Sequence, residues 1–154
     1  MGLLPLNGKN KKFKQGFYYP KNKEKFIGEE KAVYRSGLEL SYFRLLDNND
    51  SVLKWGSEEV VIPYYFDKKL HNYFVDLFVI FKLKNGQTKK CIIELKPYCQ
   101  VEQPRWSPRR KRENYINECY TWQKNKAKWI AASKYAKERG WEFHVLTEKD
   151  IKKD

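Results

Sequence analysis

Apolar positions along this chain change their spacing several times, and each change predicts an element. From Met1 to about Lys25 the aromatics Phe13, Phe17, Tyr18 and Tyr19 keep neither a helical nor a strand period, and Gly8, Gly16 and Pro20 interrupt the stretch. It reads as an arm laid on the domain or on a partner. From Gly28 to about Asp47, Tyr34, Leu38, Tyr42 and Leu45 recur at steps of four, four and three, which predicts a helix with one apolar face. Glu39 falls one position off that face, on the side of Phe43 and Leu46, where a carboxylate borders the core. Asp47-Asn48-Asn49-Asp50 is a turn cluster, and Glu59 to Ile62 reads as a short strand stopped by Pro63. A second strand is expected from about Tyr73 to Leu83, a tight turn at Asn85-Gly86, and a third strand from Lys90 to Lys96, together an antiparallel meander.

Beyond Pro97, Ser107-Pro108 has the chemistry of an N-cap followed by a first helical residue, so a long helix is expected from there to about Arg139, with Gly140 as its stop. Tyr115, Cys119, Trp122, Lys126 and Trp129 fall on one face of it, suited to packing on a sheet. Trp141 to Leu146 reads as a final strand, and Thr147-Glu148-Lys149-Asp150 as the cap of a short closing helix. The order is α, three strands, α, strand: an α/β chain with a mixed, mostly antiparallel sheet, divided into a basic arm (1–27) and a single domain (28–154). No internal repeat is visible.

The 154 residues suit one compact domain, and a hydrophobic fraction of 41% suffices for a core. Charge changes the picture. Lys+Arg 32 against Asp+Glu 19 gives a formal +13, a self-repelling surface best explained by a polyanionic partner such as nucleic acid. Arg105 to Arg112 supplies five positive charges within eight residues. Arg109, Arg110, Lys111 and Arg112 are expected in the first turn of the long helix, where the helix dipole disfavours cations; a run that works against local stability points to external phosphates. Phosphate contacts bring affinity without sequence preference, and nothing here has the pattern of a base-reading helix or zinc finger. No stretch has the length of a membrane span or the form of a signal peptide, so a soluble intracellular protein is expected. Cys91, Cys99 and Cys119, with His71 and His144, show no spacing of a closed zinc site, and neither zinc nor disulfides are expected.

The informative chemistry lies in Tyr73-Phe74-Val75-Asp76 and, after the hairpin, Ile92-Ile93-Glu94-Leu95-Lys96. Side chains alternate along a strand, so Glu94 and Lys96 share a face about 6.6 Å apart, and Asp76 stands on the partner strand. An acid in an apolar strand is costly unless its charge is compensated. Two on adjoining strands, beside a lysine, point to a divalent cation. Mg²⁺, with Mn²⁺ as a substitute, takes hard oxygen ligands and needs only one or two carboxylates plus a substrate phosphate. Asp76 and Glu94 are the expected ligands, with the Leu95 carbonyl as a further one. Lys96 is expected to orient water or neutralise charge developing on phosphorus.

Together with the upstream acid Glu39, these residues resemble the PD-(D/E)xK nuclease core, in which a helical Glu precedes the Asp and E-x-K strands; Val75 stands where that core usually has proline. Over roughly residues 31 to 150 the chain resembles the head completion nucleases of T-even-like phages. Tyr34-Arg35-Ser36-Gly37-Leu38-Glu39, Lys54 to Tyr64, Tyr73-Phe74-Val75-Asp76 and Ile93-Glu94-Leu95-Lys96-Pro97 carry that likeness, with Trp122, Asn125, Lys128-Trp129 and Leu146-Thr147-Glu148. The resemblance implies a restriction-endonuclease-like, TnsA-like fold that cuts or trims double-stranded DNA during head maturation, as an endonuclease or also an exonuclease, before tails join. It implies Glu39, Asp76 and Glu94 as acidic metal-site residues and Lys96 as the catalytic lysine. It also implies work in the host cytoplasm during assembly or in the virion, with portal or neck proteins as neighbours. Arg35 and Ser36, read as one turn before Glu39 on the helix, and Gln123 and Lys126 on the later helix are further candidates for phosphate contacts. Two other readings are a non-catalytic DNA-binding head protein on the same fold and a transposon-end nuclease; the latter is expected to need an added interaction domain.

Overall fold

The computed structural model describes residues 15–151. The central sheet has four strands in the order β3-β6-β7-β8: β3 (Val52–Ser57), β6 (Leu77–Lys82), β7 (Thr88–Leu95) and β8 (Glu142–Leu146). β3, β6 and β7 are mutually antiparallel, and β8 adds parallel to β7. Two hairpins flank it, β1 (Gly16–Tyr18) with β2 (Ala32–Tyr34) and β4 (Val61–Phe66) with β5 (Lys69–Phe74). The α-helices are α1 (Gly37–Asn48) and α2 (Arg112–Glu138). The mixed α/β class expected from the pattern is the class observed. Among the described residues no helix is long and apolar enough to cross a membrane.

Strand alternation divides the core in two. Leu77, Val79, Cys91, Ile93 and Leu95 face one side and bury Tyr42, Phe43 and Leu46 of α1 around Trp55. Ile92 faces the other, against Ala132 and Ala136 of α2 and Ile62, Tyr64 and Tyr73 of the β4-β5 hairpin. Trp55 has no exposed surface and is ringed by Phe26, Phe43 and Tyr18 at centroid distances of 4.9, 5.3 and 6.2 Å. Part of the expected arm therefore belongs to the core, while its first fourteen residues lie outside the described ones.

Several boundaries differ from expectation. The first helix begins at Gly37, because Ala32–Tyr34 pair as a strand and the Ser36 side chain caps the helix by accepting from the Glu39 N–H at 3.2 Å. Pro63 does not stop its strand: β4 has one strand partner, so a residue lacking N–H is tolerated on its open edge. The expected Tyr73–Leu83 strand is two strands, broken at Val75-Asp76. β3 was not expected, nor was the β4-β5 turn, in which Asp67 and Lys68 take φ of 52° and 61° without glycine. The Asn85-Gly86 turn is as expected, with Gly86 at φ 85° and its N–H donating to the Leu83 carbonyl.

The long helix starts at Arg112. Ser107 closes a turn instead, its hydroxyl accepting from the Arg109 N–H at 3.3 Å and its carbonyl from the Arg110 N–H at 3.0 Å. Arg109, Arg110 and Lys111 thus precede the helix, and the dipole penalty expected of them falls on Arg112 alone. The expected apolar face is also displaced. Lys126 is exposed, and the residues α2 buries are Asn125, Ala132 and Ala136, small enough to bring the helix close to the sheet.

Asp47, placed in a turn by its neighbours, is a fully buried hub at the end of α1. It accepts from the Tyr18 hydroxyl at 2.6 Å and the Lys21 and Asn22 N–H groups at 2.8 and 3.1 Å. Burial works to raise its pKa, yet these donors outweigh it and hold the carboxyl below the ordinary range. A depressed carboxyl contributes stability above the unfolded-state pKa and loses it on acidification. Asp47→Ala is expected to cost about 3 kcal/mol in urea unfolding at neutral pH, because it orphans several donors at once. The deficit should shrink as pH falls below the ordinary aspartate value.

Candidate active site

Asp76 sits where the chain leaves β5 and enters β6. Here the backbone changes partners: the Val75 N–H donates to the Val60 carbonyl at 3.0 Å, and the Glu58 N–H to the Asp76 carbonyl at 3.2 Å. Glu58 takes φ of 56°, a left-handed conformation uncommon outside glycine, so the outgoing chain turns from β3 toward β4 opposite this junction. The Asp76 carboxylate is then pinned by the next strand, Oδ2 accepting from the Leu95 N–H at 2.8 Å.

Glu94 and Lys96 project from the end of β7 on the α2 side. Glu94 is 5% exposed, and its Oε2 accepts a hydrogen bond from the Tyr73 hydroxyl. Its Oε1 lies 3.6 Å from the Lys96 ammonium. The Lys96 N–H donates to the Leu146 carbonyl at 3.0 Å, which anchors the backbone under the lysine to β8. The following loop is held by Glu148, whose carboxylate accepts from the Tyr98 N–H at 3.0 and 3.2 Å.

Glu39 arrives from the first turn of α1. Its carboxyl lies above the ordinary range, first through burial and, among smaller effects, through the charge of Glu58. Asp76 is raised well above its ordinary value by burial, then by the Glu94 charge and by Glu39, and lowered only in part by the Leu95 N–H and Lys96. Like charges thus meet with incomplete compensation. Among the described residues these carboxylates do not gather within 4.8 Å of one another as a closed ligand cluster. Such an open set of hard oxygen donors fits a cation that keeps waters and shares a phosphate.

The structure therefore brings Glu39, Asp76, Glu94, Leu95 and Lys96 into one neighbourhood. Arg35 is not on the helix as expected; it precedes it and pairs with Glu58 at 2.9 Å. Ser36 is spent on its cap. Arg110 pairs with Glu118 and donates to the Arg105 carbonyl, whereas Arg109, Lys111 and Arg112 are exposed. Gln123 and Lys126 are exposed on α2, with the Lys126 ammonium 4.5 Å from the Trp122 ring centroid. Between α2 and the loop after β7 lies a cleft of about 700 Å³, lined by Arg105, Arg110, Trp122 and Asn125 among others.

Two contributors were not singled out from the sequence for the site. Tyr73 orients Glu94, and the acid's charge, after burial, drives its phenol far above the ordinary range. Lys128 of α2 lies with its ammonium 5.5 Å from the Tyr73 ring centroid, and burial lowers its pKa against the pull of Glu94. Both contacts cross between elements, so local spacing carries no trace of them.

Residues 49–148 match the family described as TnsA-like endonuclease N terminal. The chain belongs to this family. The TnsA-like match spans β3 through the turn after β8, and so includes Asp76, Glu94 and Lys96. The chain is also 35% identical over 143 residues to the head completion nuclease of Enterobacteria phage T4, covering 89% of this chain and 93% of that one. A TnsA-like nuclease domain with the restriction-endonuclease-like core is the fold that the resemblance implied.

A raised carboxyl lets the folded state bind more protons than the unfolded one. Stability is then lost as pH rises from the ordinary aspartate value through the folded value. Asp76→Asn removes the charge while keeping an acceptor for Leu95. In chelator-treated protein this variant is expected to melt above wild type at pH 8, with the difference closing toward pH 4; equal melting curves at both pH values would contradict the like-charge cluster.

Proposed function

We propose that this protein is a divalent-metal-dependent deoxyribonuclease that hydrolyses phosphodiesters of double-stranded DNA with little sequence specificity. The observation that carries this reading is the meeting of Asp76 and Glu94 on neighbouring strands, with Lys96 beside them. Glu39, Asp76, Glu94 and the Leu95 carbonyl are the donors suited to Mg²⁺, or Mn²⁺ in its place. When bound, such an ion supplies Lewis acidity toward the phosphate and lowers the pKa of water.

The protein's own residues set the geometry. Tyr73 occupies Glu94 Oε2, which leaves Oε1 toward Lys96, and Leu95 occupies Asp76 Oδ2, while Oδ1 accepts no hydrogen bond among the described residues. The Lys96 ammonium orients the attacking water and neutralises charge developing on phosphorus. Lys128 adds a second cation on the α2 side. The exposed Arg109, Lys111 and Arg112, with Gln123 and Lys126, hold the DNA backbone, which accounts for affinity without base reading. The likeness to the phage T4 head completion nuclease supports a role in completing phage heads; on this reading the protein acts before tails join, in the host cytoplasm or within the virion, next to portal or neck proteins.

Purified protein with Mg²⁺ is expected to nick supercoiled plasmid and to stop in EDTA. Glu94→Ala and Lys96→Ala should each lower the nicking rate by at least about 100-fold while DNA retention persists. Binding without cleavage in any divalent metal would instead favour a DNA-binding head protein on a nuclease fold.

The phosphate contacts have a separate readout. Arg109→Ala combined with Lys111→Ala is expected to reduce the slope of log affinity against log salt by about 1.8, near 0.9 for each lost contact. Arg110→Ala, whose guanidinium is already engaged by Glu118, should change that slope far less.

A further inference from the structure

Cys91, Glu142 and His144 are scattered in sequence, but the parallel pairing of β7 with β8 sets Cys91 opposite Glu142 and Ile93 opposite His144. All three ligating groups then share one sheet face. One donor atom from each lies within 4.8 Å of the others. Glu142 Oε2 is 3.0 Å from His144 Nε2 and 3.9 Å from Cys91 Sγ. In a tetrahedral zinc site, metal–sulfur bonds of about 2.3 Å and metal–nitrogen or metal–oxygen bonds of about 2.0 Å place neighbouring ligand atoms roughly 3.3 to 3.6 Å apart. The observed spacings bracket that range.

Three further features suit a cation. Lys89 pairs with Glu142 through Oε1, while Oε2 is the oxygen that meets Cys91 and His144, a division of the kind an outer partner imposes on a metal-bound carboxylate. Sulfur, imidazole nitrogen and carboxylate oxygen together form a donor set of the kind zinc takes. Cys91 is buried while His144 is exposed, so the cluster runs from the core to the surface, where an ion can enter.

We propose that Cys91, Glu142 and His144 form a second metal site, selective for a borderline-soft dication such as Zn²⁺, separate from the nuclease acids and independent of them. It lies on the opposite sheet face from Glu94, because Cys91 and Glu94 are an odd number of residues apart on β7. A thiolate and an imidazole favour Zn²⁺ or Co²⁺ over Mg²⁺. The thiol, pushed up to about 11 by burial and by the Glu142 charge, releases its proton to solvent as the Cys91 sulfur binds the cation. The bound ion ties edge strand β8 to the strand that carries Glu94 and Lys96.

The test is titration of Co²⁺ into the full chain after chelator treatment, followed by optical absorption. One equivalent should produce a near-ultraviolet thiolate-to-cobalt band that Zn²⁺ bleaches and excess Mg²⁺ does not. His144→Ala, an exposed position whose fold is checked by circular dichroism, and Cys91→Ser should each weaken binding at least tenfold. Glu94→Ala and the Cys99→Ser, Cys119→Ser double variant should bind as wild type. Absence of the band in wild type, its persistence within tenfold in His144→Ala, or its loss with the Cys99 and Cys119 thiols would overturn the assignment.

Discussion

Negative charges forced together at the edge of an apolar core are the constraint around which this molecule is arranged. Asp76 and Glu94 meet because antiparallel pairing of β6 with β7 brings the start of one strand beside the end of the other, and Glu39 joins them from the first turn of α1. Left alone they destabilise the fold, as the raised carboxyls of Asp76 and Glu39 record. Much of the surrounding polar structure restrains them. The Leu95 N–H and the Tyr73 hydroxyl each hold one oxygen, and Lys96 and Lys128 supply positive charge without neutralising the cluster. Such stored repulsion is the pattern expected where stability is given up for chemistry, and it agrees with the nuclease site proposed for these residues.

The scaffold that tolerates this is stiff elsewhere. Trp55, Phe43 and the Asp47 hub lock α1 and the segment before β2 to one face of the sheet. The small Ala132 and Ala136 bring α2 close on the other face. Tyr42 reaches across to donate to the Thr147 carbonyl at 2.7 Å, so the helix that delivers Glu39 is tied to the segment after β8. From there the Glu148 carboxylate holds the loop after Lys96. Acids and lysine thus sit on elements braced from several directions.

Legibility in the sequence followed how local the cause was. The shared face of Glu94 and Lys96 was readable because strand alternation is a period-two property of adjacent residues, and the β6-β7 turn because Asn85-Gly86 demands a positive φ, whereas the break that holds Asp76 between β5 and β6 left no such mark. β3 was missed because Lys54 and Gly56 interrupt its apolar residues, and the β4-β5 hairpin because Asp67-Lys68 lacks the glycine that usually marks such a turn. The start of α2 was misplaced because Ser107 spends its hydroxyl on a turn of its own. Tyr73, Lys128 and the Cys91–Glu142–His144 cluster depend on register between elements distant in the chain, which spacing within one segment does not encode. The nuclease reading as a whole came from family resemblance as much as from charge and spacing.

The paired crossing at Glu58 to Val60 and Val75 to Asp76 is also a ruler. Both outgoing and returning chain pass from one sheet to the other at the same level, joined by reciprocal backbone bonds. Adding or deleting one residue in either segment would shift a strand by one position and turn its side chains to the opposite face. A change in the returning segment would also displace Asp76 from Glu94, whatever residue types were retained. Length is constrained in the same way at the Leu83–Gln87 turn, which joins β6 to β7 and so sets the register that holds Asp76 beside Glu94.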